Sequence, residues 1–286
     1  MPARLAWPLI AALSLLDWAA LRNSAITLAP GLLTPVILAV AGLLALSYFY
    51  ATRRPEPRIS ALAHMGAITI AFTVAIMMAS YAAASLARPL IDPALVAADR
   101  AIGFDWPAVR AWVVAHHAVH LILAAAYGSI VAQPVVLLVV LNFMGRTARA
   151  WEMLWLYMTA CLACIACSAL WPAAGAFGYF HVAENTPYVR VFMALRGGGP
   201  FVIHPGEMQG IVQFPSLHTA LALLYAYAAR GVRFLFPLFI AINALMLCAT
   251  APVGGHHLAD IWGGAVLALG SVLAVKLCSV QEDNKC

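Results

Sequence analysis

The chain has 286 residues, of which 64% are hydrophobic and only 9% charged. A soluble domain carries about 25% charged residues. With a mean hydropathy of +0.92, the composition excludes an ordinary water-soluble fold and predicts an all-α, polytopic membrane helix bundle. The net charge of +5 is small and scattered. It gives no nucleic-acid surface and instead sets topology.

A bilayer core takes about 20 apolar residues per helix, and such runs predict about eight spans. The first, about Leu5 to Leu21, lies between Arg4 and Arg22. Its start is signal-peptide-like, but Asn23-Ser24-Ala25 is a weak cleavage site, so a retained helix is expected. The second covers Leu32 to Ala51, the third Ala61 to Ala87, the fourth Val119 to Phe143 and the fifth Trp151 to Trp171. The sixth runs from Ser216 to Arg230, the seventh from Phe234 to Ala249 and the eighth from His257 to Leu277. Residues 1–60 then form two N-terminal helices, and residues 61–286 a six-helix core.

Basic residues fill alternate short loops: Arg53, Arg54 and Arg58, then Arg146 and Arg149, then Arg230 and Arg233. The positive-inside rule makes those loops cytoplasmic and turns the connections at 88–118, at 172–215 and around Gly254 outward. The first outward loop holds Asp92, Asp99, Arg100, Asp105, Trp106, Arg110 and a cluster of His116, His117 and His120. Those histidines can hold a metal in principle, but interfacial side chains are the plainer reading. No metal and no cofactor is expected. Cys161, Cys164 and Cys167 read as small side chains that let helices approach. Trp106, Trp151, Trp155, Trp171 and Trp262 read as membrane-interface belts.

Two motifs open helices on the same face. Phe214-Pro215-Ser216-Leu217-His218 places a histidine in a first turn, where free N–H groups favour an anion such as phosphate. Pro215 suits the first helical position. In Gly254-Gly255-His256-His257-Leu258-Ala259-Asp260, His256 and Asp260 share a helical face. A carboxylate on one imidazole nitrogen frees the other to attack, and the glycines let backbone approach an anion. His257 is the alternative partner of Asp260. An ionisable residue at membrane depth is a functional candidate.

Pro-Ser-x-His followed by His-x3-Asp resembles the type 2 phosphatidic acid phosphatase superfamily, over about residues 61 to 280. That family reads Lys-x6-Arg-Pro, Pro-Ser-Gly-His and Ser-Arg-x5-His-x3-Asp. The resemblance implies that His256 attacks phosphorus, that Asp260 orients it and that His218 protonates the leaving oxygen. It implies phosphate-binding roles for Arg196 and Arg190, with Ser216 and Gly255 beside them. Gly197 stands where the family has proline, Leu217 where it has glycine, and Ala249-Thr250 where it has Ser-Arg. These departures resemble the inositol-phosphorylceramide-synthase-like branch, which implies lipid head-group transfer. Arg88-Pro89 lies two spans too early to supply the first motif.

The expected function is therefore a lipid phosphatase or phosphotransferase. Its partners would be a lipid phosphate, an alcohol or lipid acceptor, and membrane lipids. A bacterial-type plasma membrane is expected, with the site facing out and His204, Glu207 and Gln209 near the cleft. The rival reading is a transporter or channel with a His–Asp proton relay.

Overall fold

The computed structural model describes residues 3–182 and 186–283. Its helices are α1 (Ala6–Arg22), α2 (Thr34–Thr52), α3 (Pro57–Ser85), α4 (Asp92–Ala101), α5 (Trp106–Ala115), α6 (His117–Gly128) and α7 (Ala132–Phe143). They continue with α8 (Thr147–Leu170), α9 (Gly175–Tyr179), α10 (Pro187–Arg196), α11 (Leu217–Ala229), α12 (Leu235–Thr250) and α13 (Leu258–Asp283). Among the described residues five helical runs are long and apolar enough to cross a membrane: α2, α3, His117–Phe143, Thr147–Tyr179 and Leu258–Cys278. The chain is a multi-pass membrane protein. Helices α1, α11 and α12 are shorter apolar segments at the places expected for further spans.

Buried side chains of α3, α7, α8, α11 and α13 form the main core, with Phe72, Leu137, Leu154, Met158 and Tyr225 all buried. One polar pair is tucked into it: Asn243 of α12 donates to Gln133 of α7 at 2.9 Å. A buried amide in lipid needs such a partner.

The two ends of the bundle differ in chemistry. At one end, Arg146 donates to the Gly231 carbonyl, Arg149 to the Arg230 carbonyl, and Arg230 pairs with Glu152 at 2.8 Å. At the other, short strands β1 (Ile26–Leu28) and β2 (Phe201–Ile203) pair in parallel, Ile26 opposite Phe201. They tie the α1–α2 connection to the long segment before α11. The Ile91 N–H donates to the Pro172 carbonyl, and Trp106 Nε1 to the Ala251 carbonyl. The three segments expected to lie together therefore do so.

Two local expectations change. Pro215 is not the first helical residue. Ser216 is the N-cap, its hydroxyl accepting from the Thr219 N–H at 3.3 Å, and α11 begins at Leu217. A side-chain cap outcompetes a residue that merely lacks an N–H. Trp106 and Trp155 are buried, not interfacial, whereas Trp171 and Trp262 are exposed. The Trp106 indole found a carbonyl and a stacked Phe180 ring, which makes burial affordable.

Candidate functional site

The starts of α11 and α13 meet because α13 carries no side chain where they touch. A Cβ on Gly264 would lie 2.4 Å from the Ser216 carbonyl oxygen and 2.7 Å from the Thr219 Cβ. The Ser216 N–H donates to the Asp260 carbonyl at 3.0 Å, locking the two helix starts together. His218 and His256 are thereby brought to a ring-centroid separation of 6.2 Å at 62°. Asp260, His256 and His257 are all fully buried or nearly so.

Each of the two imidazoles uses Nδ1 for support. His256 Nδ1 donates to the Gln213 carbonyl at 3.0 Å and lies 3.3 Å from Asp260 Oδ2. A carbonyl only accepts, so the proton sits on Nδ1 and Nε2 keeps its lone pair. Burial pushes the His256 imidazole down to about 3; the Gln213 carbonyl opposes the fall and His257 adds to it. The ring is therefore neutral. His218 Nδ1 lies 3.1 Å from the Tyr127 hydroxyl, and the two rings stack at 4.0 Å.

His257 belongs to a second set. Its Nε2 is 3.2 Å from Asp92 Oδ1, and its Nδ1 is 3.9 Å from Asp99 Oδ2. Asp92 also accepts from the Ala174 and Gly175 N–H groups, and Asp99 from those of Leu258 and Ala259, all at 2.9 Å. Both carboxylates thus cap helix starts, α9 and α13, where the dipole favours negative charge. Asp260 Oδ2 in turn accepts from the His257 N–H at 2.8 Å.

The glycine pair lies under aromatic groups. Gly255 has a φ of +71°, and a Cβ there would sit 2.6 Å from Phe177 and 2.7 Å from the Tyr188 hydroxyl. A Cβ on Gly254 would sit 2.5 Å from the Tyr127 hydroxyl. These glycines thus admit two phenols as well as open backbone. The Tyr188 hydroxyl is buried with no hydrogen-bond partner among the described residues. Burial, with Tyr127, Asp260 and Asp92 nearby, pushes its phenol up, so it remains a neutral O–H donor.

The expected cations are dispersed. Arg196 donates through Nη2 to the Arg88 carbonyl at 2.8 Å, while its buried Nη1 has no partner among the described residues. Burial pushes its guanidinium down, and Asp92 opposes that fall. Arg190 is exposed on α10. Thr250, in the place of the family's arginine, is fully buried and donates to the Met246 carbonyl. Arg110, which sequence reasoning gave no role, lies over the Phe177 ring at 5.2 Å and donates to the Pro252 carbonyl at 2.7 Å.

His204 is exposed, Gln209 is held through its backbone by Tyr81 OH, and the Glu207 side chain lies outside the described residues. His116 stacks on Trp112 and donates to its carbonyl at 2.7 Å. Among the described residues no three His, Cys, Asp or Glu side chains are grouped to hold a metal.

An apolar cavity of about 740 Å³ starts at Phe214 and Pro215, beside the Ser216 cap. It runs along α8 and α13 past Cys167, Gly263 and Gly270 to Ala274.

No curated protein and no solved structure matches the chain. A family model described as the PAP2 superfamily matches residues 93–274, which takes in everything from α4 into α13. Since that match spans well over half of the sequence and contains both histidine motifs, the chain belongs to the PAP2 superfamily.

Proposed function

We propose that this protein moves a phosphoryl group from a lipid phosphate through a covalent phosphohistidine at His256. Superfamily membership supports a phosphatase-type enzyme. The observation that carries the finer reading is the Gln213 carbonyl on His256 Nδ1, which leaves Nε2 as a lone-pair nucleophile, with the His218 ring centred 6.2 Å away.

In the first step Nε2 attacks phosphorus, the N–P bond forms and the P–O bond to the lipid alcohol breaks. The P–O–H proton that the lipid phosphate brings in passes to His218, and His218 gives it to the departing oxygen, which therefore leaves as an alcohol. In the second step water, or another alcohol, attacks phosphorus and passes its proton to His218. The N–P bond then breaks and His256 returns neutral. Water gives a phosphatase; a lipid or polyol hydroxyl gives a transferase. Arg196 Nη1 and the Tyr188 hydroxyl supply donors for the phosphoryl oxygens, with Arg190 further out; the Gly255 N–H is already given to the Ala251 carbonyl at 3.2 Å, so that glycine contributes close approach rather than a donor. Arg110 approaches the same loop from α5 and stands in for the arginine replaced by Thr250. Ser216 contributes by capping α11 under His218.

Two features favour a lipid. The apolar cavity begins at the residues that precede His218 and follows the bundle surface for several turns of α13, which suits an acyl chain. The departures at Leu217, Thr250 and Gly197 resemble the inositol-phosphorylceramide-synthase-like branch and favour head-group transfer. The alternating basic loops favour a site on the outer face of a bacterial plasma membrane, with residues 1–60 added to a core from residue 61. A proton relay would place its polar groups near the midplane, whereas here they gather at one end.

The test is purified protein with lipid phosphates of increasing chain length, with and without acceptor alcohols. Turnover should rise with chain length, and inorganic phosphate or a phosphorylated alcohol should distinguish the two acceptors. In intact cells an externally added, impermeant substrate should be consumed. Equal turnover of a water-soluble phosphate monoester and its long-chain counterpart would exclude the lipid assignment.

Asp260→Asn should cost about 10- to 100-fold in kcat, as removal of a supporting carboxylate does. A sole orienting carboxylate costs about 10⁴-fold. The smaller loss is expected because the Gln213 carbonyl still holds the same nitrogen at 3.0 Å. A loss near the larger figure would mean that Asp260 alone sets the tautomer.

A further inference from the structure

The N-terminal hairpin encloses a cavity that the catalytic reading does not use. Helices α1, α2 and α3 surround about 470 Å³, with Ile10, Trp18, Leu33, Val40 and Met78 among the walls. Among the described residues Ser14 and Asp17 are the hydroxyl and carboxyl side chains lining it, and no basic side chain does. Asp17 is 6% exposed, and its Oδ2 has no hydrogen-bond partner among the described residues.

A buried carboxyl oxygen without a donor is costly in apolar surroundings, more so in lipid. Its place in the fold says what can supply the donor. Asp17 lies five residues before Arg22, the last residue of α1, or about 7 to 8 Å along the helix. Leu28 of β1 also lines the cavity, so it sits toward the end of the bundle that holds the histidines. Helix α2 is mostly exposed, so the cavity opens toward the hydrocarbon. The occupant therefore has an apolar body and enters from the bilayer. Its head donates a hydrogen bond. It carries no phosphate, because an anion beside Asp17 would meet repulsion, and the guanidinium at that end of α1, Arg22, is held over the Trp18 ring at 4.9 Å rather than lining the cavity.

We infer that this cavity binds a neutral long-chain lipid alcohol, of the diacylglycerol kind, whose hydroxyl donates to Asp17 Oδ2. The volume falls within the range of about 300 to 1,000 Å³ usual for small-molecule sites. The site stands apart from the phosphohistidine reading and does not depend on it.

The experiment uses the full chain in phosphatidylcholine vesicles with a diacylglycerol carrying a photoreactive group on one acyl chain. After irradiation, adducts should map to peptides of α1 and α2. Excess unlabelled diacylglycerol should compete, and phosphatidate with the same chains should not. Asp17→Leu should lower labelling about ten-fold or more, the worth of one hydrogen bond to a buried carboxyl. Asp17→Asn keeps an acceptor oxygen and should keep the labelling. Equal competition by phosphatidate, or unchanged labelling in Asp17→Leu, would mean bulk lipid fills the space. No adduct on either helix would mean that water satisfies Asp17. Any of these three results overturns the inference, and the wild-type competition decides it even if Asp17→Leu fails to fold.

Discussion

His256→Ala should lower turnover by at least about 10⁴-fold, as loss of a catalytic nucleophile does elsewhere, while the protein still inserts. No neighbour can take over. His257 is adjacent in sequence, but its Nε2 is committed to Asp92 at 3.2 Å and its ring is fully buried. His218 is tied through Nδ1 to Tyr127, and among the described residues no carbonyl fixes its tautomer in the same sense. The check is rapid quench with a substrate labelled in phosphorus. Wild-type protein should show acid-labile, base-stable label on the chain, and His256→Ala should show none. Near-normal turnover, or label retained in the variant, would move the nucleophile elsewhere.

His218→Ala has the second largest expected effect, and the leaving group decides its size. With an alkyl lipid phosphate the departing alkoxide needs a proton, so the loss should be about 10²- to 10⁴-fold. With p-nitrophenyl phosphate the leaving phenolate is stable unprotonated, so the loss should shrink to about ten-fold or less. Measuring both substrates on one preparation separates chemistry from packing. If His218 merely braces Tyr127, with which it stacks at 4.0 Å, both substrates should lose activity equally.

The spans were legible because lipid imposes a length and a composition on each helix: α2, α3 and α8 begin and end within a few residues of their apolar runs, and α13 begins one residue from its own and continues to Asp283. His218, His256 and Asp260 were legible because each lies in a short local motif. What supports them was not. Gln213, Tyr127, Tyr188, Asp92 and Asp99 come from other turns and helices, and the contact between His257 and Asp92 spans 165 positions. No periodicity encodes such a pairing. A usable signal did exist: in a chain with so few charges, Asp92 and Asp99 lie in a segment that must pack against the bundle, and buried acids need donors. Register favours His256 over His257 as the partner of Asp260, and Nδ1 of His256 does lie 3.3 Å from it; that His257 is held instead by the acids of α4 was not legible. Ser216 looked like an anion contact because a helix start offers N–H groups, and its use as the cap follows from the side chain reaching its own helix first.

The parallel pairing of β1 with β2 makes the first two helices more than ballast. Ile26, Thr27 and Leu28 are stitched by backbone to Phe201, Val202 and Ile203, on the stretch that leads from Arg196 to Gln213. Excising the leading hairpin would strip that stretch of its only neighbouring strand among the described residues and free the carbonyl of Gln213 to wander. A catalytic half trimmed to the family's matched residues would thus retain every reacting atom and lose the tether that keeps one imidazole aimed.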